Sequence, residues 1–266
     1  ALSEIARDLG AHFHVDAAWG GGALLMDGAR DMMKGIEKAD SVTMDAHKLL
    51  YAPNSMGICV FKDIDDSRNL YHTSNYIIRE GSVDLGRFTM EGSRSFSCLK
   101  PWAAVKIIGR HGYKLIFDHA RELQKTFVEF IERDTLFELM NKPELFIINY
   151  RFVPEEFRTL LKSLMKNPRR NSDRITAINK VINALNIELH KTIRDHDMSF
   201  VSRTRLESTR YAPRKIVVLR AITINPNTER YMLRQILNEH RNMGIRLWNG
   251  MKKTCQETMG ILAAAS

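Results

Sequence analysis

Two residues of opposite chemistry stand at matching places early in the chain. Asp16 closes the short strand-like run 11–15, and Lys48 follows the run 41–44, 32 positions after Asp16. In a parallel sheet, ligands sit outside the carboxyl ends of the strands. A carboxylate and a lysine placed there on adjacent strands could face one another across a bound molecule. A structural ion pair is the alternative, since charged residues at strand ends are common. The neighbours favour chemistry. Asp16 is followed by Ala17, Ala18 and Trp19, then by Gly20, Gly21 and Gly22, so a flat ligand can come close. Lys48 lies between His47 and the apolar Leu49, Leu50 and Tyr51. That setting suits an uncharged, nucleophilic amine, which forms a Schiff base with an aldehyde.

Such a pair presupposes a sheet. Residues 11–15, 41–44 and 56–61 read as strands, with a helical stretch over 29–38 between the first two. That is the strand–helix–strand rhythm of a parallel sheet with covered faces. Ahead of it, Leu2, Ile5, Ala6 and Leu9 recur at helical spacing, with Gly10 as the C-cap. Residues 63–90 are polar and aperiodic and read as a long surface loop, a feature usually tied to function or disorder. A long helix is expected from about 97 to 133, bent near 109–112. Beyond Pro143 the pattern is α+β: strands over 145–152, 200–205 and 215–224, and helices over 154–166, 175–190 and 227–241. A boundary near Asn141 then divides the chain into 1–140 and a smaller α+β domain, 141–266.

The 266 residues are 44% hydrophobic and 27% charged, a balance that supports a buried core. No apolar run approaches the ~18 residues of a membrane helix. The net charge of +9 fits an anionic partner of some kind. The basic cluster Lys166, Arg169 and Arg170 has no interleaved aromatics and is followed by Asp173, which argues against nucleic acid. Three scattered cysteines with no CxxC pair argue against a zinc ribbon or a disulfide framework, and point to a cytoplasmic setting. His12, His14 and Asp16 alternate on one strand face and are of metal-ligating type, yet nothing nearby supplies the outer partners a catalytic metal needs.

The run from His14 through Asp16, Ala18 and Trp19 to Gly21, the segment 39–43, and Asp45-Ala46-His47-Lys48 together resemble the group II pyridoxal-phosphate-dependent amino acid decarboxylases. The similarity continues through Glu91-Gly92-Ser93-Arg94 with Lys100 and Trp102, and through Leu219-Arg220 to Asn225-Pro226-Asn227-Thr228. It implies a fold type I (aspartate aminotransferase-like) α/β large domain, in part, followed by a small domain. It also implies pyridoxal 5'-phosphate as cofactor and α-decarboxylation of an L-amino acid to an amine and CO2.

Residue by residue, the resemblance makes Lys48 the Schiff-base lysine and Asp16 the partner of the pyridinium nitrogen. Ala18 would lie against the ring, and His47 would sit beside the cofactor as a possible proton relay. Tyr76, 28 positions after Lys48, corresponds to a loop tyrosine that protonates the substrate's α-carbon. Arg220 matches a position that holds the substrate carboxylate in some members, and Arg94 one that supports the wall of the site. Trp19 with Gly20, Gly21 and Gly22 is closer to the members acting on acidic amino acids or diaminobutyrate than to the aromatic ones. The members are generally homodimers.

Two departures stand out. Asp45 occupies a position where the family commonly has Asn. The residue that stacks on the cofactor's other face, and the turn that cradles its phosphate, lie well upstream of Asp16 in the family, and no residue among the preceding fifteen fits either role. The chain is therefore similar to the second half of such an enzyme, and the expectation is that a first half, on the same or a separate chain, is needed. An inactive relative acting as an interaction or regulatory protein is the alternative function.

Overall fold

In the computed structural model, residues 2–73, 76, 78–79, 81–91, 93–196, 199–207, 209–211 and 215–264 are described. They divide into two units, Ala1–Phe117 and Asp118–Ser266.

β-branched residues build the sheet of the first unit. Strand β1 (His14–Asp16) pairs in parallel with β2 (Ser41–Asp45), placing Val15 opposite Val42 and Asp16 opposite Thr43. Strand β3 (Gly57–Phe61) lies on the other side of β2 and runs antiparallel to it. The expected all-parallel arrangement thus holds for β1 and β2 only. A parallel return needs a crossover of a dozen or more residues, usually helical, and the short turn after Asp45 does not provide one. The stretch between β1 and β2 is also not an α-helix. It is a series of 3-10 turns, Gly20–Leu25, Arg30–Met33 and Ile36–Lys38. Gly28 and Gly35 take φ of 75° and 101°, a left-handed conformation that no right-handed helix can continue through. Helix α1 (Leu2–Asp8) forms as its periodicity suggests, and Gly10 follows it at φ 62°.

Helix α2 (Leu99–Arg133) is interrupted at Gly109, where φ is 63° and ψ 174°, so the expected bend is present. Tyr113 and Phe117 on this helix are buried in the first unit, and the Tyr113 hydroxyl donates to the Leu50 carbonyl at 2.7 Å. Further along, Leu123, Phe127, Phe130 and Ile131 join the core of the second unit. The division between units therefore falls inside α2, ahead of the boundary expected near Asn141.

The second unit is an antiparallel sheet ordered β4-β5-β7-β6, with β4 (Phe137–Leu139), β5 (Ile147–Phe152), β6 (Ser202–Leu206) and β7 (Ile216–Ile222). Helices α3 (Glu155–Leu164), α4 (Ser172–Asp195) and α5 (Arg230–Ala264) complete it. Ile175, Ile178, Ile182, Leu185, Leu189 and Ile193 recur at three- and four-residue steps along α4 and are buried. They meet Ile148, Tyr150 and Phe152 of β5 and Ile216, Val218 and Leu219 of β7 in one cluster. Strand β4 was not expected from the sequence, and α5 runs well past residue 241. Among the described residues, no helix is long and apolar enough to cross a membrane.

Candidate active site

The parallel pairing of β1 with β2 brings the carboxyl ends of both strands to the same edge. Asp16 is the last residue of β1, and its Oδ1 accepts a hydrogen bond from the Ala18 amide at 3.0 Å, so the turn after the strand fixes the carboxylate. The turn is then knitted to β2: the Ala17 amide donates to the Thr43 carbonyl at 2.9 Å, and the Asp45 amide donates to the Ala18 carbonyl at 3.1 Å. Ala17 is buried and Ala18 half-buried, with the small side chain that close approach to a ring requires.

The glycines after Trp19 have a packing reason. A Cβ on Gly22 would lie 2.6 Å from the Leu49 Cβ and 3.0 Å from the Leu49 carbonyl carbon, and one on Gly21 would collide with Met44. The glycine turn therefore seats against the residue next to Lys48. Tyr51, at φ 55°, turns the chain after Lys48, and burial pushes its phenol up to about 12.

Lys48 is half-buried, and its Nζ is 2.8 Å from Asp45 Oδ2. His47 shares that carboxylate more distantly, with Nε2 at 3.9 Å, and its Nδ1 lies 2.9 Å from the Met56 carbonyl, which fixes the ring. Asp45 thus points at the amine and the imidazole. This partnership was missed from the sequence, although the three-residue spacing to Lys48 signalled it. His12 and His14 are engaged by hydroxyls of β2: Nε2 of His12 and Nδ1 of His14 lie 2.8 and 2.7 Å from Ser41 Oγ, and Nε2 of His14 is 3.2 Å from Thr43 Oγ1. Among the described residues, no cluster of side chains is arranged to hold a metal ion.

Tyr76 projects into solvent from the long loop, 79% exposed. The stretch around it is tied by Arg87, which donates to the Asp84, Ser82 and Arg79 carbonyls and lies over the rings of Tyr71 and Phe88. Arg94 is exposed and pairs with Glu91 at 3.4 Å; Gly92 of that motif lies outside the described residues. Arg220 belongs to the second unit. It sits in β7 between Asn149 of β5 and Ser202 of β6, and its Nε is buried with no hydrogen-bond partner among the described residues.

Known proteins resemble this chain in sequence and fold. A family model, the pyridoxal-dependent decarboxylase conserved domain, matches residues 1–153. An aspartate 1-decarboxylase of Aliivibrio fischeri is 38% identical over 242 residues, which is 91% of this chain and 43% of that protein. An L-2,4-diaminobutyrate decarboxylase of Acinetobacter baumannii is 30% identical over 161 residues, 59% of this chain and 32% of that protein. The chain spans less than half the length of these relatives. The crystal structure of mouse CSAD in its apo form superposes with a TM-score of 0.75 at 24% identity, covering 91% of this chain and 48% of that one, so the fold is shared. The matched region takes in more than half of the chain, including Asp16, Lys48 and the strands and turns that hold them; this protein therefore belongs to the pyridoxal-dependent decarboxylase family.

Proposed function

We propose that this chain carries the Schiff-base lysine of a pyridoxal 5'-phosphate-dependent decarboxylase that converts an acidic L-amino acid, or diaminobutyrate, to an amine and CO2. The observation that carries the reading is the placement of Asp16 and Lys48 at the carboxyl ends of two adjacent parallel strands, each fixed by its own local contact.

The donor set fits the cofactor. Lys48 offers an amine for the aldehyde, Asp16 a carboxylate for the ring nitrogen, and Ala18 a side chain small enough to leave the ring face clear. When bound, pyridoxal 5'-phosphate supplies an electron sink for the pair left behind as the carboxyl group departs. The chain's residues do the rest. Asp16 keeps the ring nitrogen protonated, because a carboxylate stabilises the cation beside it. Lys48 would hold the cofactor through its amine, and Asp45, 2.8 Å from Nζ, would steady that amine as an ammonium. His47 sits within reach of the same carboxylate and serves as a proton relay. Tyr76 returns a proton to the α-carbon from its exposed phenol. Arg220 holds the substrate carboxylate; its buried Nε has no hydrogen-bond partner among the described residues, and its planar fork matches a carboxylate. The family resemblance supports a homodimer in the cytoplasm as the working unit.

The test is incubation with pyridoxal 5'-phosphate and candidate amino acids, followed by absorbance, borohydride trapping and amine analysis. Lys48→Ala is expected to abolish the trapped adduct and the amine together. Tyr76→Phe keeps the adduct but slows amine release, and Arg220→Ala raises KM more than Arg220→Lys does. An adduct at a lysine other than Lys48 overturns the reading, and an adduct at Lys48 with no amine from any substrate points instead to an inactive relative.

A further inference from the structure

The second unit contains a charged cluster that decarboxylation does not use. Arg151 on β5 is fully buried; its Nε donates to one oxygen of Glu138 at 2.7 Å, its Nη2 lies 2.6 Å from that oxygen in an ion pair, and its Nη1 donates to the Asn179 side-chain oxygen at 2.8 Å. The Tyr211 hydroxyl donates to the other Glu138 oxygen at 2.9 Å, and the Arg151 guanidinium lies 4.7 Å from the centre of the Tyr211 ring. One arginine already neutralises Glu138. A second, Arg210, contacts the same carboxylate and lies over the same ring, 5.2 Å from its centre.

Two more cations face this group from α3. Arg158 and Lys162 are one helical turn apart and so share a face. Arg158 is anchored by the Thr135 and Asp134 carbonyls, whereas Lys162 is exposed beside the cavity. Glu138, Arg158, Lys162, Arg210 and Tyr211 line a cavity of about 390 Å³, bounded on its apolar side by Val153, Leu161 and Met165. That volume falls within the ~300–1,000 Å³ range of small-molecule sites.

The balance of charge identifies the occupant. A buried arginine–carboxylate pair is costly, and similar packing with apolar residues is often as stable or more so, so packing alone does not account for the cluster. Three cations, Arg158, Lys162 and Arg210, and a single carboxylate, already paired with the buried Arg151, line the cavity, and the field there favours an anion. The apolar wall favours an anion with a hydrocarbon body, and the fork of Arg210 suits a planar acid group. We infer that this cavity binds a small organic carboxylate, its acid group on Arg210 and Lys162 and its chain against Val153 and Leu161.

The test is calorimetric titration of the protein with hexanoate and, in parallel, with inorganic phosphate, repeated on Lys162→Ala and Arg210→Ala. Both side chains are exposed, so the variants are expected to keep their fold, which an unchanged melting temperature checks. Hexanoate is expected to saturate one site, and each substitution to weaken it about tenfold or more. No saturation by about 10 mM overturns the inference, because a six-carbon acid in a fitting pocket should reach that affinity. Equal affinity in the variants overturns it as well, and phosphate binding as tightly as hexanoate would reduce the site to bare charge attraction. None of these readouts needs the cofactor, so they are independent of whether Lys48 acts as proposed.

Discussion

His240 stands between two hydroxyls: Tyr150 Oη is 2.9 Å from its Nδ1, and Ser199 Oγ is 3.0 Å from its Nε2. The ring has no exposed surface and stacks nearly parallel to Tyr150. Neither neighbour offers a negative charge, so burial pushes the imidazole down from 6.5 to about 4. Between those values the unfolded chain takes up a proton that the folded chain refuses, so acidification favours unfolding. This contribution is intact above pH 6.5 and is lost as the pH falls towards 4, by about 3 kcal/mol in all. Urea unfolding at pH 7.5 and 4.5 checks it: His240→Asn is expected to lose less stability on acidification than the wild type, and equal losses would assign the effect to other groups. At this scale, the type and spacing of Asp16 and Lys48 singled them out in the sequence, and the structure sets them at the carboxyl ends of β1 and β2. The sequence did not make His240 legible. A histidine reads alike in a polar patch and in a sealed core, and only packing from Tyr150 and Ser199 decides.

Elements were legible where one periodicity ran without interruption. The isoleucines and leucines of α4, the apolar run of β7 and the break in α2 at Gly109 were all anticipated within a few residues. The failure at 29–38 has a local cause, since Gly28 and Gly35 override an otherwise helical composition through their positive φ. The failure of an all-parallel first sheet is topological: strand propensity sets where β3 lies, and the length of the connection sets which way it runs. Close approach between elements is equally invisible in the sequence. Gly244 on α5 packs on the ring of Phe152, where an added Cβ would fall 2.6 Å from a ring carbon. Both residues are buried, and the ring packs on Phe137 with centroids 5.7 Å apart, which resists its retreat. Gly244→Ala gains helix propensity of at most about 1 kcal/mol but forces overpacking that costs about 1–3 kcal/mol. The net expectation is destabilisation, read as a lower denaturant midpoint. A more stable variant would mean that Phe152 can rotate away.

Taken as a whole, the chain distributes its apolar burial unevenly. Nearly half of the buried apolar side chains described in the first unit are alanines, Ala17, Ala23, Ala29, Ala39, Ala46 and Ala52, beside Met26, Leu49, Leu50, Met56, Ile78, Tyr113 and Phe117. Those of the second unit are mostly Phe, Ile and Leu. Each large apolar side chain buried is worth about 1.5–3 kcal/mol, against far less for alanine. Local opening follows burial, so elements with little of it exchange their amides first. The amides of β1 and β2 are therefore expected to exchange roughly a hundredfold faster than those of β5, β7 and α4, a gap of about 2.7 kcal/mol in opening free energy. A ligand that binds only the closed form stabilises the elements it touches. Pyridoxal 5'-phosphate should thus slow exchange at the carboxyl ends of β1 and β2, around Asp16 and Lys48, and leave β5 and α4 as they were. Hydrogen exchange followed by peptide mass analysis, with and without the cofactor, separates these outcomes. Uniform exchange across both units would show that burial is not what divides them, and protection confined to the second unit would move the cofactor away from Lys48 altogether.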